Sequence, residues 1–500
     1  MIKNGDFMIN LSKGFVLRVL PSAPYVPVNG TGFCLPEHFY FVKDVYNRGM
    51  VRRKREIDML NGPLVKGILL FAMPLMLSNL LQIGLNAADT IIVGKFSGQH
   101  ALAAVGATGS IINLVVSLFN GIAIGANILI ASLIGKGDRH LIKDGVHTSY
   151  FIAIVGGVVL MIAGSILTMP LLHLINTPDD IISLSALYMR IYFVGALPLL
   201  VYNFGAAILR SKGDTARPAR YLMISGVVNV LLNLLTVVVL KWSVAGVAVS
   251  TVISEMLSAY LVTRALMKEE DETKLVVRDI RMNVQQIREV LKVGIPTGLQ
   301  SSMWGISNMA IQSAINSFGS IVVAGDSAAL NLESFVYIGM GAIGNAAVTF
   351  ISQNYGAKNK KRIGQIITVT TVLIALVSFL EGAIIYGNGS FFLSLYTNDP
   401  LVVEAGKLRL AYVTFWLFLN GILDIPADGL RGMGYGTLPT LIMFVGIVCV
   451  RVVYVYTVFT YFRTMPALYL CYPLSWIITM ILQFFFFFMV YRKMPSEVQG

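Results

Sequence analysis

Leu209-Arg210-Ser211-Lys212-Gly213-Asp214-Thr215-Ala216-Arg217-Pro218 and Leu430-Arg431-Gly432-Met433-Gly434-Tyr435-Gly436-Thr437-Leu438-Pro439 are the two stretches that decide the fold. Both read Leu-Arg-x-x-Gly-x4-Pro, and they lie 221 residues apart without a gap. Gly135 matches Gly356 at the same offset, and Pro74 matches Pro296 one residue further on. Chance apolar similarity does not align Arg, Gly and Pro in the same order. The chain is therefore one structural unit written twice.

Between these marks the chain is apolar. Of 500 residues 56% are hydrophobic and 13% charged, whereas a globular chain carries roughly 25% charge to cover its surface. Lipid must wet most of this exterior, and at about 20 residues per spanning helix there is room for a dozen spans. Apolar runs bounded by charge, Gly and Pro fall at 68–93, 101–134, 146–172, 181–209, 218–240 and 244–266, then at 290–318, 322–354, 363–386, 401–430, 438–461 and 466–491. In a bilayer core such runs must be helical, because only a helix closes its own backbone hydrogen bonds. The expected fold is an all-α polytopic membrane protein with twelve transmembrane helices in two six-helix repeats. An even count inserts both halves the same way up, so the repeats are parallel, as in many transporters. The expected organisation is an N-terminal extension (1–59), an N-lobe (60–266), a solvated charged linker (267–289), a C-lobe (290–492) and a short tail (493–500).

The net charge is +12, from 38 Lys and Arg against 26 Asp and Glu. Its distribution argues against a nucleic-acid partner. Arg52–Arg55, Lys136, Arg139, Arg210, Lys212, Arg217, Arg264, Arg278, Lys358, Arg362, Arg431 and Arg492 fall in alternate loops, and the intervening loops hold only Lys95, Lys241 and Arg463. Positive loops stay cytoplasmic, next to an anionic leaflet, so both termini are expected there. Residues 1–59 contain neither a span nor a signal peptide. Met50 opens Met-Val-Arg-Arg-Lys-Arg-Glu, so translation is expected to start at Met50 or Met59, with 1–49 upstream. Cys34, Cys449 and Cys471 make no paired framework.

These residues resemble the multidrug and toxic compound extrusion (MATE) transporters. The resemblance covers about 56–492 and runs through Leu60-Asn61-Gly62-Pro63-Leu64, Ala88-Asp89-Thr90-Ile91-Ile92-Val93-Gly94, Ala103-Ala104-Val105-Gly106 and Ile124-Gly125-Ala126-Asn127. The paired Leu-Arg-x-x-Gly motifs and Gln353-Asn354-Tyr355-Gly356-Ala357 complete it. It implies a V-shaped fold of two six-helix lobes in the inner or plasma membrane of a bacterium, exporting amphipathic organic cations in exchange for H+ or Na+ by alternating access. A monomer without enzymatic activity or cofactor is expected, with drugs or toxins and the bilayer as its partners. A flippase for lipid-linked saccharide precursors is the alternative.

No P-loop is present, so export is expected to run on an ion gradient or a partner. Gly339-x-Gly341-x-x-Gly344 matches a dinucleotide fingerprint but lies inside a span with no strand before it. These glycines, and Gly121-x3-Gly125, suit close helix packing instead. Ionisable groups at membrane depth are costly and so are candidates for function. Asp89, in the first span, matches the acid of the family's N-lobe cation site and is the position for a proton or a bound Na+. Asn229 and Asn233, four apart on one face of the fifth span, and Thr251 on the sixth supply further oxygens. The family branch with that site has Asn-x3-Asp in the fifth span, and Asn233 removes its second carboxylate. Glu255 and Glu333 are candidates for a cleft that attracts a cationic drug. Asp424 and Asp428 bracket Pro426 in the tenth span, and Arg451 in the eleventh is expected to pair with Asp424, as a structural pair or a functional one. Trp304 stands where another branch carries a seventh-span Glu, which argues against a C-lobe sodium site. Some of the 22 Met can line an adaptable pocket, and Phe484–Phe488 are expected to face lipid.

Overall fold

The computed structural model describes residues 57–495 and, before them, the backbone of four short strands. The chain divides into two units, Met1–Arg55 and Glu56–Gly500. In the first, Phe7–Leu11 pairs antiparallel with Phe15–Val19, and Tyr25–Val26 with Leu35–Pro36. The other residues of the expected extension up to 56, Cys34 and Met50 among them, lie outside the described residues, and Met59 is buried.

The second unit is helical. Its first half holds α1 (Leu64–Phe96), α2 (Gln99–Lys136), α3 (Arg139–Leu174), α4 (Asp179–Val194 and Ala196–Ser211, bent by 44°), α5 (Ala216–Val239) and α6 (Ser243–Met267). The second half holds α7 (Val284–Asn316), α8 (Ser320–Gly356), α9 (Lys360–Gly387), α10 (Pro400–Gly432), α11 (Thr437–Tyr461) and α12 (Met465–Lys493). Among the described residues ten of these helices are long and apolar enough to cross a bilayer singly, and the bent α4 makes an eleventh. The remaining one, α7, is 33 residues long, but Gln300, Ser301, Asn308, Gln312 and Ser313 make it more polar than the others.

The repeat is visible in the backbone. Positive φ recurs at the offset of 221: Gly98 with Gly319, Gly137 with Lys358, and Gly213 with Gly434. The last pair explains the duplicated motif. Gly213 N–H donates to the Arg210 carbonyl and Asp214 N–H to that of Leu209, at 2.9 and 3.0 Å. Gly434 and Tyr435 repeat this toward Arg431 and Leu430, at 2.8 and 2.9 Å. This left-handed cap closes the last turn of α4 and of α10 and favours Gly at its centre.

Two features join the halves, and both are made of glycine. Gly121 and Gly125 of α2 face Gly294 and Gly298 of α7 so closely that a Cβ at any of them would strike the opposite backbone. Nearer the end that carries the basic loops, a Cβ on Gly135 of α2 would overlap the Gln353 carbonyl of α8, and one on Gly356 of α8 would overlap the Ser132 carbonyl of α2. This contact is reciprocal, because each glycine and each carbonyl is the other's mate at the offset of 221. Toward the opposite end the seam opens: Gly106 and Gly109 on α2, Gly305 on α7 and Gly341 on α8 meet nothing within 4 Å.

The linker is docked rather than freely solvated, a correction to its reading as a charged loop. Lys212 Nζ donates to Glu269 at 2.8 Å and also to Asp271. Arg217 donates to Glu269 at 2.5 Å and also to Asp214. Val276 N–H donates to His147 Nε2 at 3.1 Å, and Leu275 is buried. The run at Phe484–Phe488 is also mixed: Phe485 and Phe488 are exposed, but Phe487 is buried against Gly429.

Two outcomes follow from this packing. Gly135→Ala must push α2 and α8 apart, and overpacking typically costs about 1–3 kcal/mol. Spin-label distances between the lobes at the basic end should lengthen, and thermal stability should fall. The second concerns pH. Burial raises the Glu269 and Asp271 carboxyls, but Lys212, joined at Glu269 by Arg217, outweighs it and holds both below the ordinary carboxylate range. Their contribution is present above the unfolded values, near 4, and is lost as pH falls through the folded ones. Hydrogen exchange of 268–276 should stay slow from neutral pH down to about 4 and accelerate below it, relative to the intrinsic rate.

Candidate functional site

Five helices of the first half, α1, α2, α4, α5 and α6, line a cavity of about 460 Å³, with Asn345 and Thr349 of α8 closing one side. Each half also has a six-residue π turn in its fifth helix, Leu234–Val239 and Phe444–Cys449. The first begins immediately after Asn233 and widens the helix by one residue per turn there; π turns often mark functional positions.

At the end away from the basic loops, Asp89 of α1 is half-buried and lines the cavity. Asn233 Nδ2 donates to Asp89 Oδ1 at 2.5 Å and to Asn229 Oδ1 at 3.2 Å. Asn229 Nδ2 in turn reaches Thr251 Oγ1 and Ser254 Oγ of α6, each at 3.5 Å. The spacing of four that puts both Asn on one helix face thus places their amides in series behind a single carboxylate. Asn233 Oδ1 is buried without a partner among the described residues. An acceptor left bare beside a carboxylate suits a proton or a cation.

Glu255 of α6 also lines the cavity, its carboxylate against Gly195 at the bend of α4, where a Cβ would crowd it at 2.6 Å. No side-chain partner of Glu255 is present among the described residues. Tyr188 and Tyr192 lie along the same wall. Methionine is absent from this lining among the described residues, contrary to the Met-lined expectation. Its polar character comes from Asn: Asn79, Asn86, Asn113, Asn120, Asn127, Asn203, Asn229 and Asn345. Each amide offers donors and acceptors together, which accommodates varied ligands.

The remaining candidates lie elsewhere. Glu333 is a correction: it is 1% exposed inside the second half and does not line the cavity. Arg409 of α10 grips it through Nε and Nη2 at 2.9 and 3.0 Å and reaches Asp326 through Nη1 at 2.7 Å. Thr414 donates to Glu333 at 2.9 Å and Tyr469 to Asp326 at 2.8 Å. Asp326 and Glu333 sit seven residues apart, two turns along one face of α8, which is the sequence signal that could have found them. Arg451 is a second correction. It is fully buried but does not pair with Asp424, because α11 packs on α7 and α12. Its guanidinium donates to Ser475 at 3.0 Å and to Ser307 and Asn308 at 3.3 and 3.4 Å. It also lies 4.4 Å from the Tyr472 ring centroid and 5.6 Å from that of Trp304, cation–π contacts that replace a carboxylate. Asp428 accepts from Arg431 at 2.5 Å, and Asp424, half-buried, has no such partner among the described residues. Neither lines the cavity.

A family model described as MatE matches residues 74–235 and again 296–457. The chain belongs to the MatE family. The two matches begin at Pro74 and Pro296, so the family unit is the repeat read above. A relative named "Probable multidrug resistance protein YpnP", from Bacillus subtilis, is 30% identical over 377 residues, 73% of this chain and 83% of its own length. NorM of Thermotoga maritima, also named as a probable multidrug resistance protein, is 25% identical across 82% of this chain and 88% of its own. Among solved structures, one titled as the outward-facing conformation of a multidrug resistance MATE family transporter superposes with a TM-score of 0.82 at 20% identity. It covers 88% of this chain and 98% of its own. A MOP superfamily transporter from Pyrococcus furiosus gives the same score and identity over 89% and 99%. The MatE chain is thus a multi-pass membrane transporter with the V-shaped two-lobe fold, and not an enzyme.

The Arg409 network has a clear stability test. Removing one partner from a buried ion pair leaves an uncompensated charge and typically costs about 3–5 kcal/mol. Glu333→Gln should lower the unfolding temperature of the purified protein far more than Asp424→Asn, as read by tryptophan fluorescence on heating.

Proposed function

We propose that this MatE protein is a secondary active exporter of amphipathic, mostly cationic small molecules, exchanging them for H+ or Na+ by alternating access. It works as a monomer in the inner or plasma membrane, with both termini in the cytoplasm. The N-lobe (60–266) and C-lobe (290–492) rock about the glycine seam, and the cavity beside Asp89 faces first one side and then the other. Relatives named multidrug resistance and multidrug export proteins support this class of substrate.

The observation that carries the reading is the Asp89–Asn233 contact. An asparagine amide serves both states of its neighbour: its N–H donates to the carboxylate, and its rotated carbonyl accepts from the carboxylic acid. If the ion is Na+, the same carbonyl and Thr251 become ligands with Asp89, since hard cations take oxygen donors. Occupancy of Asp89 then biases one lobe arrangement over the other only through this differential interaction. Glu255, further along the wall, attracts the cationic part of the substrate.

The test is uptake of a fluorescent organic cation into proteoliposomes under an imposed pH or Na+ gradient. Wild type should accumulate the dye under one gradient, and Asp89→Asn should lose gradient-driven uptake at least tenfold while retaining its fold. Uptake that survives the substitution moves coupling away from Asp89. No uptake by folded wild type under either gradient overturns the export reading.

A further inference from the structure

The repeat places an arginine at the end of α4 and another at the end of α10, and the two have different surroundings. Arg431 is neutralised inside the protein, donating to Asp428 and to Gln300, each at 2.5 Å. At the offset of 221, the residue matching Asp428 is Ala207. Arg210 consequently has no carboxylate partner among the described residues. Its single hydrogen bond runs from Nε back to the Ala206 carbonyl at 3.2 Å, which turns the guanidinium away from the basic loops and into the cavity it lines. Neither terminal nitrogen has a hydrogen-bond or ion-pair partner in the protein among the described residues. The sequence reading counted Arg210 as a loop charge; the structure places it at the cavity floor.

The cavity therefore has two poles. Glu255 lies beside Gly195, at the start of the second segment of α4, and the Arg210 guanidinium lies beside Ala206, eleven residues further along. At 1.5 Å per residue the separation is roughly 16 Å, and contacts of about 3 Å at each end leave roughly 10 Å for a ligand. A bare guanidinium presents its planar fork to a carboxylate or phosphate oxygen pair. An unpaired cation at this depth would be expensive unless the cavity holds water or an anion against it.

We infer that Arg210 forms an anion subsite at the floor of the cavity, so that the protein favours amphoteric substrates carrying a carboxylate or phosphate about one drug length from their amine. This rests on the export reading above for the cationic pole and adds the class of molecule that the same cavity selects. Ala207 is what creates the subsite, because an acid there, as in the second half, would neutralise it.

A rhodamine with a free carboxylate and its methyl ester differ only at the anionic pole. Their affinities for the purified full-length protein in detergent, read by fluorescence anisotropy, test the inference directly. Wild type is expected to prefer the acid, Arg210→Gln to lower the acid-to-ester preference at least tenfold, and Arg210→Lys to restore part of it. Ala207→Asp should mimic Arg210→Gln by neutralising the arginine from inside. An unchanged preference in Arg210→Gln, or equal loss of both dyes, overturns the anion subsite while leaving the export reading intact. If wild type binds neither dye, both readings fall. Added inorganic phosphate separates the two sources of anion. Competition against the acid alone supports a substrate carboxylate, whereas phosphate that strengthens ester binding assigns the subsite to a free counter-ion and overturns the amphoteric specificity.

Discussion

The reciprocal crossing of α2 and α8 at Gly135 and Gly356 is the constraint on which the rest of the structure depends. Each glycine accommodates a carbonyl from the other helix, Gln353 or Ser132, so the two halves meet backbone to backbone. That distance sets where the cavity floor lies. It brings Thr349 Oγ1 to Asn127 Oδ1 at 3.0 Å and the Gln353 amide to the Ser211 carbonyl at 2.6 Å. The seam is also easy to part. Glycine faces do not interlock through side chains, and a hydrogen bond exchanged for one to water contributes only about 1 kcal/mol net. The contact is close but shallow, and the Gly121–Gly298 line extends it along α2 and α7.

The two halves share a fold and divide the charges. In the second, Arg409 pairs with Asp326 and Glu333, Arg431 donates to Asp428 and Gln300, and Arg451 donates to hydroxyls and lies over aromatic rings. In the first, Asp89, Glu255 and Arg210 all face the cavity. Saturated charges hold helices in fixed register, and breaking one is costly. Bare charges require water or a ligand. The second half thus holds the buried Arg409 network, and the first the charged cavity.

The fold was legible because its punctuation is local. Leu-Arg-x-x-Gly-x4-Pro encodes a left-handed cap and the start of the next helix within ten residues, and the cap recurs in the backbone at Gly213 and Gly434. The Gly121-x3-Gly125 reading anticipated close packing without naming the mate, since Gly294-x3-Gly298 lies far along the chain. In the site, the spacing of Asn229 and Asn233 was enough to put two amides on one face. Partners across helices were not legible. Arg451 was assigned to Asp424 because their helices are consecutive, yet α11 lies on α7 and α12. Arg409 meets its partners on a helix 76 and 83 residues earlier in the chain, so the spacing of Asp326 and Glu333 on one face does not by itself name it. Arg210 was counted with the loops because its backbone ends a helix, whereas its side chain turns back.

Laying one half over the other explains why this cavity lies in the first. At the offset of 221, Glu333 corresponds to Ile112, Asp326 to Val105 and Arg409 to Tyr188. Ile112 and Tyr188 line the cavity, so the space left open in the first half is filled in the second by the Arg409–Asp326–Glu333 network. The exchange also runs the other way. Glu255 corresponds to Trp476, and at the offset of 222 shared by Pro74 and Pro296, Asp89 corresponds to Ile311; both mates are fully buried. A symmetric pair of six-helix units would have two cavities with the same charges, each exposing ionisable groups to lipid depth. Plugging one with paired charge and apolar bulk removes that cost there and leaves the other free to hold its acids and its arginine in water. The left-handed caps, the Gly135–Gly356 contact and the π turns remain common to both halves.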